Sequence, residues 1–240
     1  STSSAQWTTD FCKRNPICGE SQNRFSTKAM NNLNKLVIKP WGREYLAYRN
    51  EHVAIWTLEI NKGEATSLHC HPNKNTALIL LRGIVELSFI RDTVPHRFRG
   101  LDKINIFRGR FHRTRAVSDD VVLLEVEAPD DKRDIVRLED DYGRVAALIE
   151  DATESEKAGC LQIIGDNRDI SFAGCGLSVF TPLDNLNTSS RKDHVFVTLS
   201  GGLERGLVPP GDAIDGETLS QLTRNFKPVP GTSFLHIWKT

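Results

Sequence analysis

Residues 67 to 75 read SLHCHPNKN, which sets His69 and His71 on either side of Cys70. In an extended strand, residues two apart share a face, so the two imidazoles point together and Cys70 points away. Two convergent neutral imidazoles are part of a transition-metal site, and a third ligand must then arrive from another strand. His112, in FRGRFHRT, stands 41 residues beyond His71, a separation that a β-meander can fold back across. Three protein ligands leave positions open for water or substrate, and imidazole donors suit Zn, Fe, Ni and Cu. An H-x-H pair alone arises by chance on surface strands, so the reading depends on context.

Other residues could add chemistry. Glu125 and Glu127 share one face of VVLLEVEAP and are either inward catalytic bases or an outward solvated row. Lys74 is either a turn residue of the Pro-Asn-Lys-Asn loop or a cation of the site. Arg108, Arg110, Arg113 and Arg115 read equally as a solvated strand edge or as a ligand patch. His52, His96, His194 and His236 lack partners at ligand spacing, and Trp41, Trp56 and Trp238 are read as core or interface residues. The glycines of LSGGLERG fit a hairpin, because no G-x-x-x-x-G-K-[ST] accompanies them.

The elements that must position these groups are short strands. REYLAYR (43–49), HVAIWTLEI (52–60), TALILL (76–81), IVELSFI (84–90), KINIF (103–107) and VVLLEVEAP (121–129) follow one another, with Gly, Pro, Asn or Asp in most gaps. In HVAIWTLEI, Ala54, Trp56, Leu58 and Ile60 form one uniformly apolar face opposite Val53, Ile55, Thr57 and Glu59. TALILL is apolar on both faces, as a central barrel strand or one beneath a partner subunit would be. Residues 1–34 form a polar arm, and ALIEDATESEKAG is a charged linker or short helix. A second β-like group follows: CLQII (160–164), LSVFT (177–181), HVFVTL (194–199), LERGLV (203–208) and SFLHIW (233–238), with a short helix expected in ETLSQLTRNF.

Set in this frame, the histidines resemble the motifs of the cupin superfamily. The first, G-x5-H-x-H-x3,4-E-x6-G, is matched in full spacing by Gly63, His69, His71, Thr76 and Gly83, with Thr76 where the family has Glu. Of the second, G-x5-P-x-G-x2-H-x3-N, Gly109 and His112 match, while Leu101, Phe107 and Ala116 replace Gly, Pro and Asn. KPWGREYL and EAPDDKRDIVRLEDDYGR look like small cupins of sugar-phosphate, nucleotide-sugar and surface-polysaccharide pathways.

The resemblance implies an all-β fold: a cupin double-stranded β-helix (jelly-roll barrel) over 35–144, followed by a β-rich segment over 145–240. That segment is either a degenerate second cupin half or an extension over the barrel. It also implies a divalent metal (Zn, Fe, Mn or Ni) on His69, His71 and His112. With Thr76 in the carboxylate position, the fourth position falls to solvent or an anionic, sugar-like substrate. Three functions follow: a sugar-phosphate or nucleotide-sugar isomerase or epimerase in which Glu125 or Glu127 moves the proton, an Fe(II) dioxygenase, or a non-catalytic metabolite binder.

Composition sets the outer bounds. Lys plus Arg equals Asp plus Glu at 31 each, so global charge offers nothing to a nucleic acid. No apolar run approaches a membrane span, and the five cysteines form an odd set without a CxxC pair, consistent with reduced thiols. A cytoplasmic protein is expected, as a homodimer that hides its sheet edges.

Overall fold

The computed structural model describes residues 36–143, 154–155, 159–165, 168–182 and 192–240. The expected N-terminal arm, with Cys12 and Cys18, lies outside them, as does most of the charged linker. The chain forms β1 (Leu36–Lys39), β2 (Gly42–Arg49), β3 (Ala54–Ile60), β4 (Leu68–Cys70), β5 (Asn75–Arg82), β6 (Ile84–Phe89), β7 (His96–Arg99), β8 (Lys103–Ile106), β9 (His112–Ala116), β10 (Val121–Ala128) and β11 (Val136–Glu139). Then come β12 (Glu154–Ser155), β13 (Ile170–Phe172), β14 (Cys175–Phe180), β15 (His194–Ser200), β16 (Ala213–Asp215), α1 (Gly216–Thr223) and β17 (Ser233–Lys239).

Two antiparallel sheets make the barrel. One runs β12-β1-β2-β3-β10-β5-β8 and the other β11-β4-β9-β6-β7. Leu78 and Ile106 of the first pack with Leu87 and Phe89 of the second, closing the barrel interior. Two antiparallel sheets closed into one barrel agree with the all-β fold that the resemblance implied. Among the strands not listed from the sequence, HRFR and HRTRA are rich in charge and carry no apolar alternation, while LVIK and VRLE are only four residues long.

A third sheet, ordered β13-β14-β17-β15-β16, accounts for TALILL. Leu78 and Leu80 face the barrel interior, while Ala77, Ile79 and Leu81 join a core with Leu177, Val197, Leu235 and Ile237. The strand is thus buried on both faces within one chain. Among the described residues, the C-terminal segment is a five-stranded sheet with a helix, packed against the barrel. At the seam, the Asn105 amide donates to Ala213 O (3.0 Å) and accepts from Ala213 N (2.9 Å).

Two expected strands are absent. CLQII runs alongside β2 without forming a ladder, held by Leu161 N donating to the Tyr45 hydroxyl and Ile163 N to Ala47 O. LERGLV makes a tight turn in which Leu203 N donates to Leu207 O, with Arg205 and Gly206 at positive φ. The helix in ETLSQLTRNF does form, capped by the Asp215 carboxylate accepting from Thr218 N at 2.8 Å. Among the described residues, no helix is long and apolar enough to cross a membrane.

Two motif positions show why their residue types matter. Gly83 has φ 90°, and a Cβ there would lie 2.8 Å from Val121 Cγ2, so the β5–β6 turn tolerates no side chain. Leu101, standing where the second motif has Gly, adopts φ 61°. Its buried side chain in the core under the third sheet offsets that strain.

Candidate metal centre

His69 and His112 are direct register partners on β4 and β9, and His71 follows β4 immediately. The alternation expected of H-x-H therefore holds: Cys70 turns the other way, opposite Val136 of β11. The ring centroids lie 5.0 Å (His69–His71), 4.5 Å (His69–His112) and 5.7 Å (His71–His112) apart. All three rings are buried.

Each ring is fixed through its Nδ1. His69 Nδ1 donates to Ser67 O (2.9 Å), His71 Nδ1 to Asp134 O (2.7 Å) and His112 Nδ1 to Arg110 O (3.0 Å). These carbonyl partners assign the Nδ1–H tautomer and leave the Nε2 lone pairs as donors. His71 Nε2 is buried with no hydrogen-bond partner in the protein. Asp134 does more than accept from His71. Its carboxylate takes Asn73 N (2.9 Å), Asn73 Nδ2 (2.8 Å) and Lys74 N (2.9 Å), pinning the HPNKN turn. No sequence signal singles it out, because its role depends on a contact 63 residues away.

The fourth donor corrects the sequence expectation. Position 76 holds no carboxylate, yet Glu125 of β10 reaches the same point, and donor atoms of His69, His71, His112 and Glu125 all lie within 4.8 Å of one another. Glu125 and Glu127 both face inward and are buried, which excludes the outward solvated row. Val122, Leu124 and Val126 face the third sheet. The four donors thus supply a carboxylate as well as three imidazoles, so the fourth position need not fall to solvent or substrate.

Electrostatics fit a cation. Burial, then the neighbouring imidazoles, holds His69 well below its ordinary range. Burial and the Lys74 ammonium lower His71 to about 3, and burial chiefly lowers His112 to about 4, so all three rings are neutral ligands. Burial, then Glu127, pushes Glu125 up to about 7. A divalent ion would supply the countercharge that this carboxylate lacks. Three neutral imidazoles with free Nε2 atoms and one carboxylate therefore fit Zn, Fe, Mn or Ni.

Beside the donors lies a second charged group. Lys74 Nζ is 2.8 Å from Glu127 Oε1, with both side chains only 2% exposed, and also donates to Asp131 O at 3.0 Å. Lys74 is therefore a buried, ion-paired residue and not a solvated turn. Lys132 Nζ sits 3.5 Å from the Trp56 ring centroid, 3.4 Å from Glu44 Oε1 and 3.8 Å from Glu127 Oε1. Neither Lys132 nor Glu44 is marked in the sequence. The arginine cluster separates: Arg113 and Arg115 pair outside with Asp141, while Arg110 covers the Phe89 ring. The other described histidines stay outside this cluster, His194 and His236 forming a 2.8 Å hydrogen bond on the third sheet.

No family model and no curated protein sequence matches the chain. Solved structures do. KdgF from Halomonas sp. is 13% identical with TM-score 0.37, over 39% of this chain and 85% of that one. The capsular polysaccharide assembling protein CapF from Staphylococcus aureus is 16% identical with TM-score 0.40, over 45% of this chain and 34% of that one. A cupin-superfamily sugar phosphate isomerase from Silicibacter pomeroyi is 16% identical with TM-score 0.30, over 33% of this chain and 52% of that one. Each match spans less than half of the chain.

Proposed function

We propose that this cupin-fold chain is a divalent-metal enzyme that isomerises or epimerises a phosphorylated or nucleotide-linked sugar at the site of His69, His71, His112 and Glu125. The observation that carries the reading is a second buried carboxylate, Glu127, two residues from Glu125 on the same inward face and ion-paired to Lys74. Bound there, a divalent ion supplies Lewis-acid polarisation of a substrate carbonyl. With Glu125 among the donors, Glu127 is the proton carrier. Its Oε1 is held by Lys74, and its Oε2 has no partner in the protein.

For an isomerisation, Glu127 Oε2 takes the proton from the carbon beside the carbonyl and returns it to the former carbonyl carbon. The hydroxyl proton shifts between the two oxygens, so no oxidant or reductant is consumed. Lys74 positions Glu127 and does not touch substrate, and Lys132, at the rim, offers a cation to an anionic ligand. Cytoplasmic location and a homodimer belong to the same proposal, the second checked by light scattering.

The test has two parts. Protein purified without added metal should contain about one equivalent of Zn, Mn, Ni or Fe, and His112→Ala should lose it. Metal-loaded protein incubated in D2O with aldose and ketose phosphates should place deuterium beside the carbonyl, and Glu127→Gln should abolish this while keeping the metal. No exchange across the panel would reject the isomerase. Bound Fe with oxygen uptake on thiols or diketones would establish the dioxygenase instead.

A further inference from the structure

The barrel interior carries polar atoms that neither the metal donors nor the fold employs. Trp56 Nε1, Thr76 Oγ1 and Glu127 Oε2 are buried without a hydrogen-bond partner in the protein, in residues 7%, 2% and 2% exposed. A buried polar atom left unpaired costs about 1–3 kcal/mol, so several on one surface require an explanation.

They are neighbours. β10 runs between β3 and β5, with Glu125 opposite Trp56 on one side and Glu127 opposite Thr76 on the other. Two residues along a strand advance roughly 7 Å, and facing residues on adjacent strands stand roughly 5 Å apart. The three residues therefore lie on one inward patch that spans three adjacent strands beside the Glu125 donor. Lys132 closes its rim, with its ammonium against both Trp56 and Glu127.

The mixture of donors and acceptors selects the ligand. An indole N–H can only donate, an ionised carboxylate oxygen can only accept, and a hydroxyl does both. A phosphate accepts only and would be repelled by Glu127. An ammonium group donates only and would leave the indole unpaired. Adjacent hydroxyls satisfy all three.

We infer that Trp56 and Thr76, together with Glu127, form a polyol-recognition subsite that reads neighbouring hydroxyls of a sugar beside the metal donors. The inference rests on the proposed function for placing a ligand in the barrel. It gives Thr76 a role: with Glu125 supplying the carboxylate from β10, position 76 presents a hydroxyl to substrate.

Titration calorimetry on Zn-loaded protein, with hexose 6-phosphates and butyl phosphate as ligands, tests it. Butyl phosphate has the same charged group without hydroxyls. The sugars should bind at least tenfold tighter. Trp56→Phe and Thr76→Val should each weaken sugar binding by about 2- to 12-fold, the equivalent of one hydrogen bond. Butyl phosphate binding and zinc content should stay at wild-type values, the melting temperature should not fall, and Thr76→Ser should keep the sugar affinity.

Equal binding of the two ligand classes, absence of sugar binding, or sugar affinity unchanged in a folded, zinc-loaded Thr76→Val would overturn the subsite. Sugar selectivity that falls in the variants, without deuterium exchange in wild type, would reject the isomerase and keep the subsite. Exchange with no loss of selectivity in the variants would do the reverse.

Discussion

On one face of β10, Val122, Leu124 and Val126 are sealed under the third sheet; on the other, Glu125 and Glu127 are buried with lysines and imidazoles. Both faces exclude water, with opposite energetic consequences. Each apolar side chain contributes about 1.5–3 kcal/mol on full burial, whereas a buried carboxylate is costly unless paired or neutralised. Stability and chemistry are thus separated by the two-residue period of one strand. The C-terminal sheet supplies the apolar surface that lets the barrel keep a charged interior.

The sharpest way to break this contrast is to unbalance the charged face. Lys74→Met removes the closer of the two ammonium groups beside Glu127, leaving Lys132 at 3.8 Å, and should cost about 3 kcal/mol in urea unfolding. The double variant Lys74→Met/Glu127→Leu should recover most of that, because the penalty belongs to the orphaned charge. A single-variant cost under about 1 kcal/mol would mean that the interior is wet and the contrast false.

The next comparison sets adjacent residues against each other. Leu124→Ala should cost about 2–5 kcal/mol by opening a cavity under the third sheet, with bound metal retained. Glu125→Gln should leave metal-free stability near wild type or above it, while metal content falls sharply. If Glu125→Gln destabilised the metal-free protein as much as Leu124→Ala, the inner face would be structural after all.

The sequence made one of these faces much easier to read than the other. The His pair, its spacing to His112, the apolar alternation of β3 and the two apolar faces of β5 depend on short-range pattern, and all appear in the structure. The direction of Glu125 could not be read, because β10 is buried on both faces and the alternation of VVLLEVEA does not say which one holds the site. Asp134, Lys132 and Glu44 were invisible because the partners that bring them to the site lie 60 to 88 residues away in the chain. The β-rich C-terminal segment was legible in its strands but not in its packing, since an apolar outer face fits a partner subunit as well as the chain's own third sheet.

Acidity sharpens the contrast in the metal-free protein. His71 and His112 take up protons at about 3 and 4 when folded but near 6.5 when unfolded. As pH falls from 6.5 towards 4, the unfolded state binds more protons and stability falls. Glu125 acts in the opposite sense. Between its unfolded value near 4.5 and its folded value of about 7, the folded state holds the extra proton, so its contribution to stability grows as pH falls. Glu125→Gln removes only this compensation, so thermal melts should show a steeper acid loss between pH 6.5 and 4.5. The difference is bounded by roughly 1.4 kcal/mol per pH unit for one proton, and parallel curves would place the Glu125 carboxyl in a solvated setting.

The smallest expected effect tests how the two layers are held together. Asn105 sits on β8, at one edge of the barrel's first sheet, and its amide exchanges two hydrogen bonds with the Ala213 backbone on β16, the edge of the third sheet. Lys103 and Asp215 lie at the same seam, 3.4 Å apart, but a partly exposed pair of that length contributes little. Asn105→Ala should therefore cost about 1–2 kcal/mol, from one backbone N–H and one C=O losing their partner. Lys103→Ala should cost less. Because Asn105 faces outward opposite Ala77, metal content and sugar-phosphate affinity should be unchanged. Hydrogen exchange should accelerate in β16 before β10 if the third sheet opens from this edge. Simultaneous acceleration of β10 and loss of metal would show that the apolar cover and the charged interior are one cooperative unit, and that the separation of faces is energetic without being dynamic.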